Sequence, residues 1–262
     1  MPMLTKTSLL LAKIEAVYGT DPVPAVATDG VLCWDLEVTP EVEINERTVQ
    51  RGATLSRTSH VVGGRKVSVK CKTEFKWNGN VTGNSATIWE CDPLWKAVGL
   101  VVAYTAETAG DGHGYALVTP DGSPASSVTL YAYMGAGHDG GNAVLHKVSG
   151  CVGTATISME AGKYGIIEWE FTGLYAAPAD AATPTVITGT YDTQVAPVIL
   201  SSALNLGGTH AVGSTYRIGG KDVTVGYSPI VKAFSLVLGN KIADRPSVNA
   251  ASGYAGFVIV GR

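Results

Sequence analysis

The sequence predicts a mainly β fold, of the sandwich or barrel type, with one short helix on its flank. Most segments between turn-forming residues alternate apolar and polar side chains, as half-buried strands do. Glycine is abundant, with 32 of 262 residues. Only 16% of the residues are charged, against about 25% in typical soluble domains. So few charges favour a surface that is partly covered, for example by copies of the same chain.

The length fits one large domain or two small ones. We assign one domain over 1–262, with an N-terminal arm and loop (1–30), a core (31–186) and C-terminal strands that complete the core (187–262). No apolar run approaches the roughly 18 residues of a membrane helix, so no membrane association is expected. The net charge is −3 and there is no basic arm, which argues against tight nucleic-acid binding.

The N-terminal segment MLTKTSLLLAKIEAVYGTDPVP (3–24) begins like a secretory signal. Its apolar run spans only Leu9 to Ala12 before Lys13 and Glu15, too short for a signal peptide. The segment instead alternates like a half-buried strand that ends at Gly19. The apolar face of this strand comprises Leu10, Ala12, Ile14, Ala16 and Tyr18.

Two oppositely charged strand regions follow. Segment 31–52 predicts two strands broken near Pro40, and 56–64 predicts a loop. Segment 65–77 has the clearest alternation, with Val67, Val69, Cys71, Thr73, Phe75 and Trp77 on one face and Lys66, Ser68, Lys70, Lys72, Glu74 and Lys76 on the other. We expect a charge-complementary interface, within one sheet or between subunits, formed by Lys66, Lys70, Lys72 and Lys76 with Glu37, Glu41 and Glu43. A nucleic-acid strip is the less favoured alternative.

One helix is predicted within 85–100, centred near 92–99. Asp92 can cap it, and Pro93 suits the first helical position. Leu94, Trp95, Val98 and Leu100 can be buried, and Gly99 lies near the end. The four cysteines include no CxxC pair, which favours buried free thiols over a zinc site.

The remaining chain predicts strands and turns. Strands are expected near 100–106, 115–119, 127–134 and 143–149, then in a hairpin (151–160 and 166–175), and finally near 197–207, 214–218, 222–226, 230–239 and 253–261. Segment 176–186 predicts a linker or crossing loop. One side of the hairpin is polar, with Thr154, Thr156, Ser158 and Glu160 on the first strand and Glu168, Glu170 and Thr172 on the second. This side is either an ordinary solvent face or the wall of a water-filled space.

No catalytic or cofactor-binding pattern emerges. The five histidines form no HExxH or HxH pair, and the glycine-rich GAGHDGGN lacks the lysine of a phosphate-binding loop. No GxSxG motif occurs. We therefore expect no catalytic residues, no metal and no cofactor.

Three segments resemble the major tail tube proteins of long-tailed bacteriophages. They are LLLAKIEAVYGTDPVP near the N-terminus, HKVSGCVGTATISMEAGKYGIIEWEFTGLYAAPAD (146–180) and FSLVLGNKIADRPSVNAASGYAGFVIVGR (234–262). DPLWKAVGL also falls where that family has a short helix. The likeness spans most of the chain in the same order.

This resemblance implies a structural subunit in the virion tail, assembled in the host cytoplasm. Such subunits form hexameric rings that stack into a tube, and their long hairpins join an inner β-barrel. The lumen-facing candidates are then Thr154, Thr156, Ser158, Glu160, Glu168 and Glu170, forming an acidic wall that double-stranded DNA passes without specific contact. Other partners implied are the tape measure, tail terminator and tail tip proteins.

The resemblance also gives the N-terminal strand a role. It implies an arm that docks on its own subunit or on a neighbouring ring, and loop 52–64 could cross a ring interface. The alternative function is a carbohydrate-binding or adhesion β-sandwich. Exposed aromatic residues would favour that function, but the tryptophans mostly fall on apolar faces.

Overall fold

The computed structural model describes residues 8–46, 60–76, 90–105, 112–117, 126–135, 142–182, 195–200, 216–218, 221–223 and 231–262. In chain order the elements are β1 (Leu9–Ile14), β2 (Gly30–Val31), β3 (Trp34–Asn45), β4 (Val61–Phe75), α1 (Asp92–Ala97), β5 (Leu100–Thr105), β6 (Gly112–Leu117), β7 (Val128–Met134), β8 (Ala143–Glu160), β9 (Gly165–Leu174), β10 (Ala179–Ala181), β11 (Tyr216–Ile218), β12 (Lys221–Val223), β13 (Ala233–Val237), β14 (Lys241–Pro246) and β15 (Tyr254–Gly261). The mainly β prediction is confirmed. The single-domain assignment stays a prediction.

The longest strand, β8, organises the main sheet. The sheet has nine strands, with the path β2-β1-β7-β8-β9-β4-β3, and both β10 and β13 also pair with β8. The first part of β8 pairs with β7 and β10, and the second part pairs with β9 and β13. We call β1, β2, β7, β10 and the first part of β8 half-sheet A, and β3, β4, β9, β13 and the second part of β8 half-sheet B.

The two half-sheets share one hydrophobic core. Its largest fully buried side chains include Leu10 and Leu130 from half-sheet A and Trp169 and Phe171 from half-sheet B. The Trp169 ring meets the Trp95 ring of α1 edge-on, with 4.6 Å between centroids. The Trp169 indole N–H donates to Thr73 Oγ1 at 2.8 Å, which satisfies the one polar atom of this buried ring.

β8 contains a bulge around Gly150, where the strand bends. Two side chains from the N-terminal segment form hydrogen bonds with the backbone groups that the bulge displaces from the strand ladder. Gly150 has a φ of 63°, which favours glycine. Its N–H donates to Glu15 Oε1 at 2.6 Å, and its carbonyl accepts from the Tyr18 hydroxyl at 2.9 Å. The Tyr18 oxygen also accepts the Phe257 N–H at 2.7 Å. Tyr18 therefore ties β8 to the C-terminal strand β15.

Glu15 is buried and fully hydrogen-bonded. Its Oε1 accepts from Gly150 N and from Thr129 Oγ1 at 2.6 Å, and its Oε2 accepts from Gly19 N at 2.7 Å and Ser127 Oγ at 2.6 Å. Four donors on one carboxylate compensate for the loss of water on burial.

The predicted half-buried character of the N-terminal strand is wrong. Leu10, Leu11 and Ala12 are all buried, because β1 is an inner strand between β2 and β7. Leu10 and Ala12 face the shared core, while Leu11 joins a second apolar cluster on the opposite side of half-sheet A. Of the expected arm, Leu10, Ala12 and Ile14 belong to a strand of their own subunit, and Ala16 and Tyr18 follow it. Of the two predicted positions of the arm, we therefore keep the one on its own subunit and not the one on a neighbouring ring.

Several predicted boundaries are corrected. Pro40 does not break a strand, because β3 is the edge of the sheet path, where a missing N–H is tolerated. Segments 143–149 and 151–160 form one strand, β8. The predicted loop 56–64 contains the start of β4, the linker 176–186 contains β10, and β14 was not predicted. Residues 52–59, Trp77 and 201–207 lie outside the described residues.

The helix is confirmed, with a different cap. Cys91 occupies the N-cap position, and Asp92 instead pairs with Lys96 at 2.7 Å across one turn. Leu94, Trp95, Val98 and Leu100 are buried as expected. Cys71, Cys91 and Cys151 are buried free thiols, and Cys33 is half-buried.

The C-terminal segment packs against the end of α1. The Asn240 side-chain amide donates to the carbonyls of Val98 and Gly153, each at 2.8 Å. The Arg262 guanidinium donates to the Gly99 carbonyl at 2.6 Å. The donors to Val98 and Gly99 satisfy carbonyls just beyond the last turn of α1, and the donor to Gly153 links the same side chain to β8.

We expect Glu15→Gln to lower the free energy of unfolding by about 2–3 kcal/mol. One carboxylate oxygen accepts the Gly150 N–H and the other accepts the Gly19 N–H. In either orientation, the NH₂ group of a glutamine would therefore face one of these backbone N–H groups, and that hydrogen bond would be lost. Urea unfolding of the unassembled subunit measures the loss. Glu168→Gln, at an exposed position, is the control and should have little effect. Equal stability of the two variants would contradict the role of Glu15.

The hydrogen-bonded hydroxyl of Tyr18 predicts that the stability of the subunit decreases at alkaline pH. Burial raises the pKa of Tyr18 to about 12, although the Phe257 N–H acts to lower it. Because this pKa is higher in the folded than in the unfolded state, the Tyr18 hydroxyl contributes fully to stability below the pKa of the unfolded state, near 10. The contribution is lost as pH rises through the folded-state pKa of about 12. Tyr18→Phe should cost about 1 kcal/mol at pH 8, and its difference from wild type should shrink by pH 11. A constant difference would contradict this assignment.

Candidate functional site: the polar face of half-sheet B

The polar residues predicted on separate strands meet on one face of half-sheet B. One cross-strand row runs Thr154, Glu170, Lys70 and Glu37 from β8 to β3. The adjacent row places Thr156, Glu168 and Lys72 side by side. A third row contains Val152, Thr172, Ser68 and Thr39. The opposite face of these strands forms the core, so only this face is free to meet water.

Lysines of β4 lie between acidic residues on both sides. Lys70 Nζ is 3.0 Å from Glu170 Oε1, and Lys72 Nζ is 3.5 Å from Glu168 Oε1 and 3.2 Å from Asp35 Oδ2. Lys66 Nζ lies 3.6 Å from Glu41 Oε2 and 3.1 Å from Asp244 Oδ2. The predicted complementary charges of Lys66, Lys70 and Lys72 are thus paired within one subunit. The face is mixed in charge rather than a purely acidic wall.

The acidic neighbours hold these lysines in the charged form. Hydrogen bonding to Glu170 raises the pKa of Lys70. Hydrogen bonding to Asp35, followed by the charge of Glu168, raises the pKa of Lys72. Lys70 is exposed and Lys72 is half-exposed, so each pair contributes little to stability by itself. Their main effect is to fix the charge pattern of the face.

Four of the predicted site residues have other surroundings. Lys76 is buried and pairs with Glu90 at 3.4 Å, away from the solvent. Glu43 stands beside Gly63, where a β-carbon would lie 3.3 Å from its Oε2. Glu160 pairs with Lys163 at 2.7 Å at the turn of the hairpin, and Ser158 lies opposite Ser235 of β13. Sequence reasoning missed Asp244, because β14 was not recognised as a strand.

Exposed apolar side chains lie at both ends of half-sheet B. The β3–β4 ribbon extends beyond β9, and there it exposes Val42, Ile44, Val61 and Val62. The opposite end, around the β8–β9 turn, exposes Tyr164, Val198, Leu200 and Phe234. Clusters of exposed apolar side chains commonly mark contacts with other molecules.

The comparison with protein families decides the identity of the chain. The family model described as phage tail tube protein matches residues 5–262. The chain belongs to the phage tail tube protein family. This confirms the resemblance found in the sequence. A search of the curated proteins found no match.

Family membership establishes the broad role of this phage tail tube protein. It is a structural protein that self-assembles into a tube within the virion tail, and its family is not a known enzyme family. No group of three or more side chains suited to a metal occurs in the described part of the chain. None of the described helices is long and apolar enough to span a membrane.

Lys70→Glu should weaken folding, because the introduced carboxylate would face Glu37 and Glu170 in one cross-strand row. Thermal unfolding of the free subunit should show a lower midpoint, with a smaller difference at high salt. Adding Glu170→Lys should restore part of the loss. A double variant no more stable than Lys70→Glu alone would show that the pair does not act across the strands.

Proposed function

We propose that six copies of this tail tube protein join half-sheet B into one inner barrel around a channel. The polar face then lines the channel, through which double-stranded DNA leaves the virion. The observation that supports this most is the difference between the two faces of half-sheet B. One face forms the core, while the other carries cross-strand rows of threonine, glutamate and lysine. Closing the sheet also removes unpaired strand edges.

The charge pattern suits a channel that does not retain DNA. Asp35, Glu37, Glu41, Glu168 and Glu170 outnumber Lys66, Lys70 and Lys72. Each of these lysines has a carboxylate neighbour, so none is free to replace the counterions of a phosphate. The net negative charge repels the DNA backbone, which favours rapid passage.

Stacking of the rings is proposed to use the two apolar ends of half-sheet B. The ribbon residues Val42, Ile44, Val61 and Val62 lie at one end, and Tyr164, Val198 and Leu200 lie at the other. When the two ends of a ring carry different patches, rings associate head to tail, and further rings can be added without limit. The predicted crossing of a ring interface by 52–64 is consistent with the position of the ribbon. Tape measure, tail terminator and tail tip proteins are the further proposed partners, and assembly occurs in the host cytoplasm.

A gold cluster on a single introduced cysteine tests the orientation of the face. Thr172→Cys lies on the polar face, whereas Lys13→Cys lies on half-sheet A, on the side away from the shared core. Each variant is labelled with a maleimide gold cluster after tube assembly and averaged by electron cryomicroscopy. We expect density inside the channel for Thr172→Cys and on the outer wall for Lys13→Cys. The reverse distribution would contradict the proposal, as would rings without six-fold symmetry.

A further inference from the structure

β13 occupies a strand edge without being buried. It pairs with residues 156–160 of β8, yet all five of its residues are exposed. Phe234, Leu236 and Val237 keep 37%, 44% and 60% of their accessible surface. Because a large part of each side chain stays in contact with water, removing β13 costs less hydrophobic free energy than removing an inner strand, although Leu238, which follows it, packs against the core.

The directions of the strands indicate which edges can join in a ring. β8, β9, β4 and β3 pair antiparallel in turn, so β3 runs opposite to β8. Rotation about a ring axis preserves the direction of each strand along that axis. A β3 strand therefore meets the β8 strand of the next copy antiparallel, and the alternation continues around the ring. β13 is antiparallel to β8, so a β3–β13 junction would instead be parallel, which is slightly less stable per residue.

We propose that β13 is a replaceable cover of the edge through which subunits join. In the free subunit it occupies the β8 edge at 156–160. On assembly it leaves, and β3 of a second copy pairs there. This inference rests on the proposed ring and names the two edges that form it. It also gives a reason for the free subunit to resist premature polymerisation, because an open strand edge is otherwise a template for association.

The side-chain patterns of β3 and β8 fit this junction. In β3, the polar Glu37, Thr39 and Glu41 alternate with Leu36 and Val38, which pack against the core. In β8, Thr156 and Ser158 alternate with Ile157, which also packs against the core. Pairing β3 with β8 therefore continues both the polar face and the apolar face from one subunit to the next. Among the described residues, β3 pairs only with β4, which leaves its other edge available.

Gly239, two residues after the end of β13, is suited to act as a hinge. Gly239 has a φ of 65°, and a β-carbon there would meet no atom within 4 Å. The next residue, Asn240, is anchored by hydrogen bonds to Val98 and Gly153. β13 can thus leave the β8 edge while Asn240 and the β14–β15 hairpin remain in place. The hydrogen bond from Leu238 N to Ala155 O, at 3.0 Å, is the contact nearest the hinge that must break.

A reversible disulfide tests the proposal. Ser158 and Ser235 lie directly opposite in the β8–β13 pair, at the Cα separation that a disulfide spans in antiparallel strands. The double variant Ser158→Cys, Ser235→Cys locks β13 on β8 when oxidised with glutathione disulfide. The matched control Ser68→Cys, Thr172→Cys locks β4 to β9 on the same face, a pair that the proposed ring keeps intact. Tube formation is followed by light scattering and electron microscopy, with and without dithiothreitol.

We expect the oxidised Ser158–Ser235 variant to lose tube formation and to regain it on reduction. The control should assemble in both states. Tubes from the oxidised Ser158–Ser235 variant, equal in yield to those of its reduced form, would overturn the proposal and leave the ring itself unaffected. If the wild type and both reduced variants form no six-fold rings, the proposed function fails instead. Thiol titration and mass spectrometry verify that each disulfide has formed.

Discussion

The bend of β8 at Gly150 is the constraint on which the rest of the structure depends. It allows one strand to serve two half-sheets whose apolar faces share a core. A bulge displaces backbone groups from the strand ladder, and a buried N–H or carbonyl without a partner is costly. Glu15 and Tyr18 supply those partners. The anchoring of the segment after β1 and the attachment of β15 both follow from satisfying this one point.

The charged side chains of the polar face follow a regular arrangement. β4 places a row of lysines between the acidic strands β3 and β9, so like charges are separated and opposite charges are adjacent. This arrangement lets a densely charged surface form within one subunit without strong self-repulsion. It also retains a modest negative excess. A purely acidic wall, as the sequence suggested for the β8–β9 hairpin, would place Glu168 and Glu170 side by side without neutralisation.

Local periodicity predicted much of half-sheet B, because a two-residue period reveals which side chains share a face. The buried set Ile167, Trp169 and Phe171 and the alternation of β4 were both visible this way. The register between strands that are distant in the chain has no such local pattern. The sequence therefore could not predict that Lys70 lies opposite Glu170. The two-sided burial of β1 was missed because Lys13 and Glu15 suggested a solvent face. Glu15 is instead buried against four donors, of which one, Gly19 N, is local and three, from Ser127, Thr129 and Gly150, come from distant parts of the chain.

The contacts of Tyr18 also have a consequence for the timing of synthesis. Tyr18 and Phe257 are 239 positions apart in the chain. At roughly 5–20 residues per second, the ribosome needs on the order of 10–50 s to add the second partner after the first. In a nascent chain the Tyr18 hydroxyl therefore lacks its β15 partner until long after β1 has been translated. The hydrogen bonds of Tyr18 are therefore completed only after Phe257 in β15 has left the ribosome.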